Sequence, residues 1–205
     1  MKKMAMASAF AAMMAPALAH GADFMGIELG AKFDMPECEI ERTNYSSRYI
    51  YDSDQPVTPC WEHSILDGKP GDYLDTAGTF KINFIADGAK RPAGVRSNAV
   101  KLIVVSGVVE GVEAATGGYE YQDRLLQALV TKFGKPTSLS SETMQNRMGA
   151  TFDSHEAIWK TKVLEVNFSG MGSSTDFGHI TVYSPKATAF VEEEYERKQK
   201  AAPSF

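Results

Sequence analysis

The sequence predicts an α+β protein, with antiparallel sheet, one amphipathic helix packed on it at about 119–134 and a C-terminal helix at about 185–200. Three observations carry that expectation. Leu125, Leu126, Leu129, Val130 and Phe133 follow a helical rhythm. Stretches such as TFKINFIA and Leu164, Val166, Phe168 alternate at period two. The order helix, strand, strand, strand then reads as an antiparallel meander with a helix on one face.

The chain opens MKKMAMASAFAAMMAPALAHGADF. Lys2 and Lys3 precede an uncharged Ala- and Met-rich run, and Ala17-Leu18-Ala19 forms an A-x-A cleavage site. That order is a secretory signal peptide over 1–19, cut after Ala19. The run is too short and too weakly apolar for a spanning anchor, and Pro16 breaks it. No Cys lies near the cut to carry a lipid. The expected mature chain, 20–205, is long enough for one cored α+β domain or two small related units, 20–115 and 116–205. The expected address is the periplasm or the cell exterior.

Lys and Arg number 21 against 26 Asp and Glu. An acidic chain without a basic patch argues against nucleic acid and anionic lipid as partners. No later segment is apolar enough to span a membrane.

Gly26–Phe33 alternates apolar residues with Gly and charge, and Pro36 stops it; a short strand or a single helical turn fits. Cys38 and Cys60 are the only cysteines. In an oxidising compartment they have one intramolecular pairing, a disulfide closing the polar, weakly periodic segment between them. In TPCWEH, residues 58–63, Cys60 is then the staple, Trp61 packs over the disulfide or against the sheet, and Glu62 and His63 lead away. A catalytic thiol would need Cys60 free, and no spacing supports a zinc site.

The turn Leu66–Asp72 precedes a half-buried strand over 79–86. AKRPAGVRSN reads as a basic loop. VKLIVVSGVV, Val100–Val109, reads as a central strand in which Gly107 marks a bulge or a hairpin bend. Gly111 and Val112 extend it before Thr116-Gly117-Gly118 breaks it. The helix has Glu120 and Asp123 early and Lys132 late, Gly134 at its end and Pro136 beyond. Three strands follow: one from Ala150–Phe152 on through Ala157–Lys160, then Lys162–Phe168 and Gly178–Tyr183. The turn SGMGSSTDFG separates the last two. Ser184 caps and Pro185 opens the final helix. Phe190, Val191 and Tyr195 are placed to dock, with Glu193–Arg197 and Glu194–Lys198 as i, i+4 pairs. The end, KQKAAPSF, is expected to fray.

The helix end carrying Leu129, Phe133, Gly134, Lys135 and Pro136, followed by strands containing Trp159-Lys160, resembles small bacterial envelope proteins. These are the αβ units related in fold to β-lactamase inhibitor protein and to the outer-membrane assembly lipoproteins. The resemblance covers about a third of the chain, and this chain lacks the lipoproteins' lipid-bearing Cys. It implies a binding or assembly module without catalysis. It also implies that the first half is a degenerate copy, with 26–30 as its helical part and 79–109 as its strands.

Candidate sites are few. The sequence has no nucleophile elbow, zincin motif or phosphate loop. Asp153, His155 and Glu156 are the nearest to a catalytic or metal cluster; Asp153 and His155 share one strand face and Glu156 the other. A small periplasmic hydrolase using Asp153 and His155 is therefore the rival to a binding protein. The turn at 172–176 has too few acidic ligands for calcium. Arg42, Tyr45, Arg48, Tyr49 and Tyr51 crowd into the stapled loop, with Trp61 at its end. Tyr and Arg are favoured at protein interfaces, and a staple lowers the entropy cost of binding. The alternative places Tyr49 and Tyr51 on a short edge strand. No cofactor is expected, and the expected partner is another envelope protein, met through the exposed sheet face together with the Cys38–Cys60 loop.

Overall fold

The computed structural model describes residues 23–36, 38–42, 47–49, 60–62, 80–85, 90–145 and 148–201. The expected leader, Tyr45, Tyr51, His63 and the expected turn at 66–72 lie outside the described residues.

The fold is α+β, built on an eight-stranded antiparallel sheet. Strands β1 (Asp23–Phe24) and β2 (Ile27–Glu28) form a small hairpin, and β3 (Ile40–Arg42) and β4 (Ser47–Tyr49) form another. The main sheet takes β5 (Cys60–Glu62), β6 (Phe80–Ile85), β7 (Val95–Val105) and β8 (Val108–Thr116) as one meander. Helix α1 (Gln122–Phe133) then leads to the opposite edge. There β9 (Ser138–Gln145), β10 (Thr151–Lys160), β11 (Glu165–Ser169) and β12 (Gly178–Tyr183) form a second meander. The order is β5-β6-β7-β8-β12-β11-β10-β9, so the two meanders meet last strand to last strand. Helix α2 (Pro185–Ala201) follows β12.

One face of the sheet holds the main core. Leu102 and Val104, Val112 and Ala114, Ile180 and Val182, Val166 and Phe168, and Ala157 and Trp159 alternate inward from five neighbouring strands. Leu125 and Leu129 of α1 and Phe24 and Ile27 of the first hairpin close over them. The expected helical stripe holds for Leu125 and Leu129, while Val130 faces out. The helix also starts later than expected. Gly118, at φ +67°, lets the backbone pass against Thr175, whose carbonyl accepts from Tyr119 N–H at 2.8 Å. Residues Gly118–Glu120 therefore form a 3-10 turn. At the other end Gly134, at φ +79°, donates its N–H to the Val130 carbonyl and stops the helix, as expected.

Gly26–Phe33 is strand-like, so 26–30 is not the helical part of a first copy that the resemblance implied. Its later part runs beside β8: Gly30 N–H donates to Val109 O and Val109 N–H to Ala31 O. Gly107 proves a hairpin bend, since Ser106 and Gly107 both take positive φ, 52° and 76°. Two such residues suit the tight turn that matches strand twist. A bulge also occurs nearby: Ile103 pairs with Gly111 and Val104 with Val109, leaving Glu110 as the extra residue.

Several expectations need correction. The basic loop before residue 100 is partly strand, because β7 begins at Val95. The segment 138–145 is the edge strand β9, which no sequence signal marked. Tyr195 does not dock on the body; it is 64% exposed, and the buried side chains of α2 are Ala187 and Glu194. Arg197 pairs with Glu194 rather than Glu193, while Glu194–Lys198 stands as expected. The helix runs to Ala201, and the rest of the segment expected to fray, 202–205, lies outside the described residues. Its start is as read: the Ser184 hydroxyl accepts from Ala187 N–H at 3.3 Å, ahead of Pro185.

Candidate functional site

The disulfide Cys38–Cys60 is present, and Cys38 is buried. Trp61 sits in β5 with its backbone and indole both tied to the preceding chain. Trp61 N–H donates to Pro36 O at 3.0 Å, Cys38 N–H to Trp61 O at 2.8 Å, and the indole N–H to Met35 O at 3.0 Å. The ring is half-buried against the core, so its packing against the sheet is as expected. Inside the stapled segment, Arg42 pairs with Ser47, Glu41 with Arg48 and Ile40 with Tyr49. Arg42, Arg48 and Tyr49 thus lie on a hairpin, brought within one short ladder.

Asp153 and His155 share the core face of β10, as their parity requires, but meet different partners. His155 Nε2 lies 3.0 Å from Asp123 Oδ1 at the start of α1. Asp153 Oδ1 accepts from the Thr143 hydroxyl of β9 at 2.8 Å. Glu156 points to the other face, 2.5 Å from the Ser169 hydroxyl. Among the described residues no group of three His, Cys, Asp or Glu side chains is placed to hold a metal. The Arg96 guanidinium donates to Asp176 O at 2.6 Å, bracing the turn that a cation would have used.

The larger feature is the sheet face opposite the main core. Register places three rows across it. Lys160, Glu165, Tyr183, Gly111 and Ile103 form one; Ile158, Asn167, Thr181, Glu113 and Lys101 the next; Glu156, Ser169, His179 and Ala115 the third. Helix α2 lies on the β7, β8 and β12 side of this face. It comes close because Gly111 has no side chain, and Ala187 occupies that space. Lys186 Nζ reaches the buried, bulged Glu110 at 2.9 Å.

The β11–β10 side is left polar and accessible. Asn167 Nδ2 donates to Glu165 Oε1 at 3.2 Å and to Thr181 Oγ1 at 3.4 Å. Lys160 Nζ pairs with Glu165 Oε2 at 2.8 Å. The hydrogen bond from Lys160, and then that from Asn167, hold the Glu165 carboxyl below its usual range. The same bond to Glu165 raises the Lys160 ammonium. At the α2 border the Tyr183 hydroxyl donates to Glu113 Oε1 at 2.5 Å. Burial first, and that carboxylate second, push the Tyr183 phenol far up. These groups satisfy one another laterally, which leaves a pre-ordered surface with Ile158 exposed at its outer margin.

The sequence pointed to an exposed sheet face but not to the residues that compose it. Its signal lies in the polar positions alternating with Val166 and Phe168, and with Ile180 and Val182. Only the pairing order brings them together. Comparison with known families, curated proteins and solved structures returned no significant match.

Proposed function

We propose that this chain is an exported, non-enzymatic binding or accessory protein of the bacterial envelope. It engages a protein partner through the open sheet face and the stapled hairpin. The observation that carries this reading is the uncovered polar half of the sheet, whose side chains are already held by neighbours. A surface ordered before contact loses less freedom on binding. Its mixed polar groups with a marginal Ile suit a non-obligate interface. The Cys38–Cys60 bond fits an oxidising compartment, and among the described residues no helix is long and apolar enough to cross a membrane. The unit α1–β9–β10–β11–β12, a helix followed by an antiparallel meander, is the part that suits an αβ unit of the inhibitor and assembly-lipoprotein kind.

Capture from periplasmic extract tests the binding surface. Wild type is compared with Tyr49→Ala/Tyr51→Ala and with Ile158→Glu/Asn167→Lys. A partner lost from either variant supports the reading. No partner, or one retained equally by all three, counts against it. Mass spectrometry of the exported protein is expected to find His20 as the first residue and no free thiol.

A further inference from the structure

The two edges of the main sheet are finished differently. Strand β5 is three residues long, and its outer side is occupied by Pro36 and Cys38 through two backbone hydrogen bonds and the disulfide. Strand β9 is eight residues long and pairs with β10 in unbroken register from Ser138–Ile158 to Gln145–Thr151. No described backbone hydrogen bond reaches its outer side. A long unpaired edge offers a row of N–H and C=O groups to another strand. Proteins usually guard such an edge with Lys, Pro or a bulge. The sequence SLSSETMQ has no Lys and no Pro, and its single charge is Glu142. Exposed apolar side chains gather at this margin: Leu139 on β9, Ile158 on β10 and Met148 in the connection between them.

We propose that β9 pairs antiparallel with β9 of a second copy, about a two-fold axis at Ser141, joining the two sheets into one. Such an axis is normal to the sheet and keeps each face on its own side. Residues directly opposite one another must then have the same parity, so the axis passes through a residue. The two longest registers are centred on Ser141, pairing 138–144, and on Glu142, pairing 139–145. The second sets two carboxylates opposite each other, which is unfavourable. The first sets Ser140 opposite the partner's Glu142 and Leu139 opposite the partner's Thr143. It therefore combines the full length with no like-charge pair, and small hydroxyl residues sit at its centre.

A second copy suits this edge better than an extended foreign peptide. Peptide readers of this kind use pockets for alternate side chains. On β9 every side chain is exposed except half-buried Met144, so the strand presents flat relief. The buried area of one strand pair is small against the roughly 1,200–2,000 Å² of a standard interface. Association is therefore weak and depends on concentration.

Ser141→Cys in the full, disulfide-intact chain tests the register. Directly opposed residues of antiparallel strands lie about 4.5–5.5 Å apart at Cα, within reach of a disulfide. Mild oxidation is expected to yield a covalent dimer at least about tenfold more readily than for Ser138→Cys, whose two copies lie at opposite ends of the ladder. Sedimentation velocity of wild type should show a concentration-dependent dimer. Ser141→Lys, at an exposed position, should remain monomeric with an unchanged melting profile. Equal cross-linking at both sites overturns the proposal. So does a wild type that stays monomeric throughout, including one that captures an extended peptide at this edge, or a Ser141→Lys dimer.

Discussion

Gln122 does the work of a missing strand. β11 ends at Ser169, opposite Glu156 of β10, and Gly170 N–H extends the ladder by one bond to His155 O at 2.7 Å. Beyond that point the Gln122 amide takes over: Nε2 donates to Asp153 O at 2.7 Å, and Oε1 accepts from His155 N–H at 3.1 Å. The side chain is buried at the first residue of α1, 3% exposed, so it pins the helix to the sheet. Replacing Gln122 by Leu keeps the volume and the helix propensity but removes both bonds. Each backbone group left unpaired while buried costs about 1–3 kcal/mol. Asp153 is exposed and water can serve its carbonyl, so the total should fall near the low end, about 2 kcal/mol. For a chain of this size that lowers Tm by roughly 4–8 °C. Urea unfolding followed by circular dichroism measures it. A Leu variant within about 0.5 kcal/mol of wild type would refute the reasoning. Gly170 supplies a second arm, because a Cβ there collides with Gln122 Oε1. Gly170→Ala should destabilise wild type and lose much of that effect in the Gln122→Leu background, since both act on one contact.

Three further outcomes are expected. Reducing Cys38–Cys60, with a sequence separation of 22, or replacing both by Ala, should cost about 3 kcal/mol through loop entropy; unchanged denaturation with and without reductant would contradict a stabilising staple. Tyr183 has its folded pKa raised, so its contribution is intact below the unfolded value of about 10 and is lost at higher pH as the unfolded chain ionises. Alkaline unfolding should accordingly begin later in Tyr183→Phe than in wild type, and coincident curves would remove Tyr183 as the cause. Ser184→Ala should cost about 1 kcal/mol as a lost helix cap, read by thermal denaturation; a Thr replacement should restore most of it.

Features set by local chemistry were legible in the sequence. The end of α1 at Gly134, the start of α2 at Ser184-Pro185 and the single cysteine pairing each depend on residues within a few positions or on simple counting. Strands that bury one face, such as Leu164–Phe168 and Ile180–Val182, showed themselves by alternation. Strand β9 did not, because both its faces are exposed and an edge needs no apolar period. The first residues of β7 were hidden behind Arg91-Pro92. Asp153 and His155 were correctly placed on one face. Their partners, Thr143 and Asp123, come from other elements and were beyond any local pattern.

The placement of α2 was illegible for a related reason, and it decides where the open surface lies. A helix usually docks by its largest apolar side chains, which pointed to Phe190 and Tyr195. Here Ala187 packs over Gly111, where the absence of a side chain on β8 lets the helix settle. Small residues set that contact, and they carry no hydrophobic signal. Settled there, α2 lies over the β7, β8 and β12 side, and its Lys186 neutralises the bulged Glu110. The strands beyond then have no helix to satisfy them. Asn167, Glu165, Thr181 and Lys160 pair among themselves instead. With α2 settled over β7, β8 and β12, the neighbouring half of the sheet is polar, held by its own lateral pairs and without a helix over it, which is the condition the proposed binding role requires.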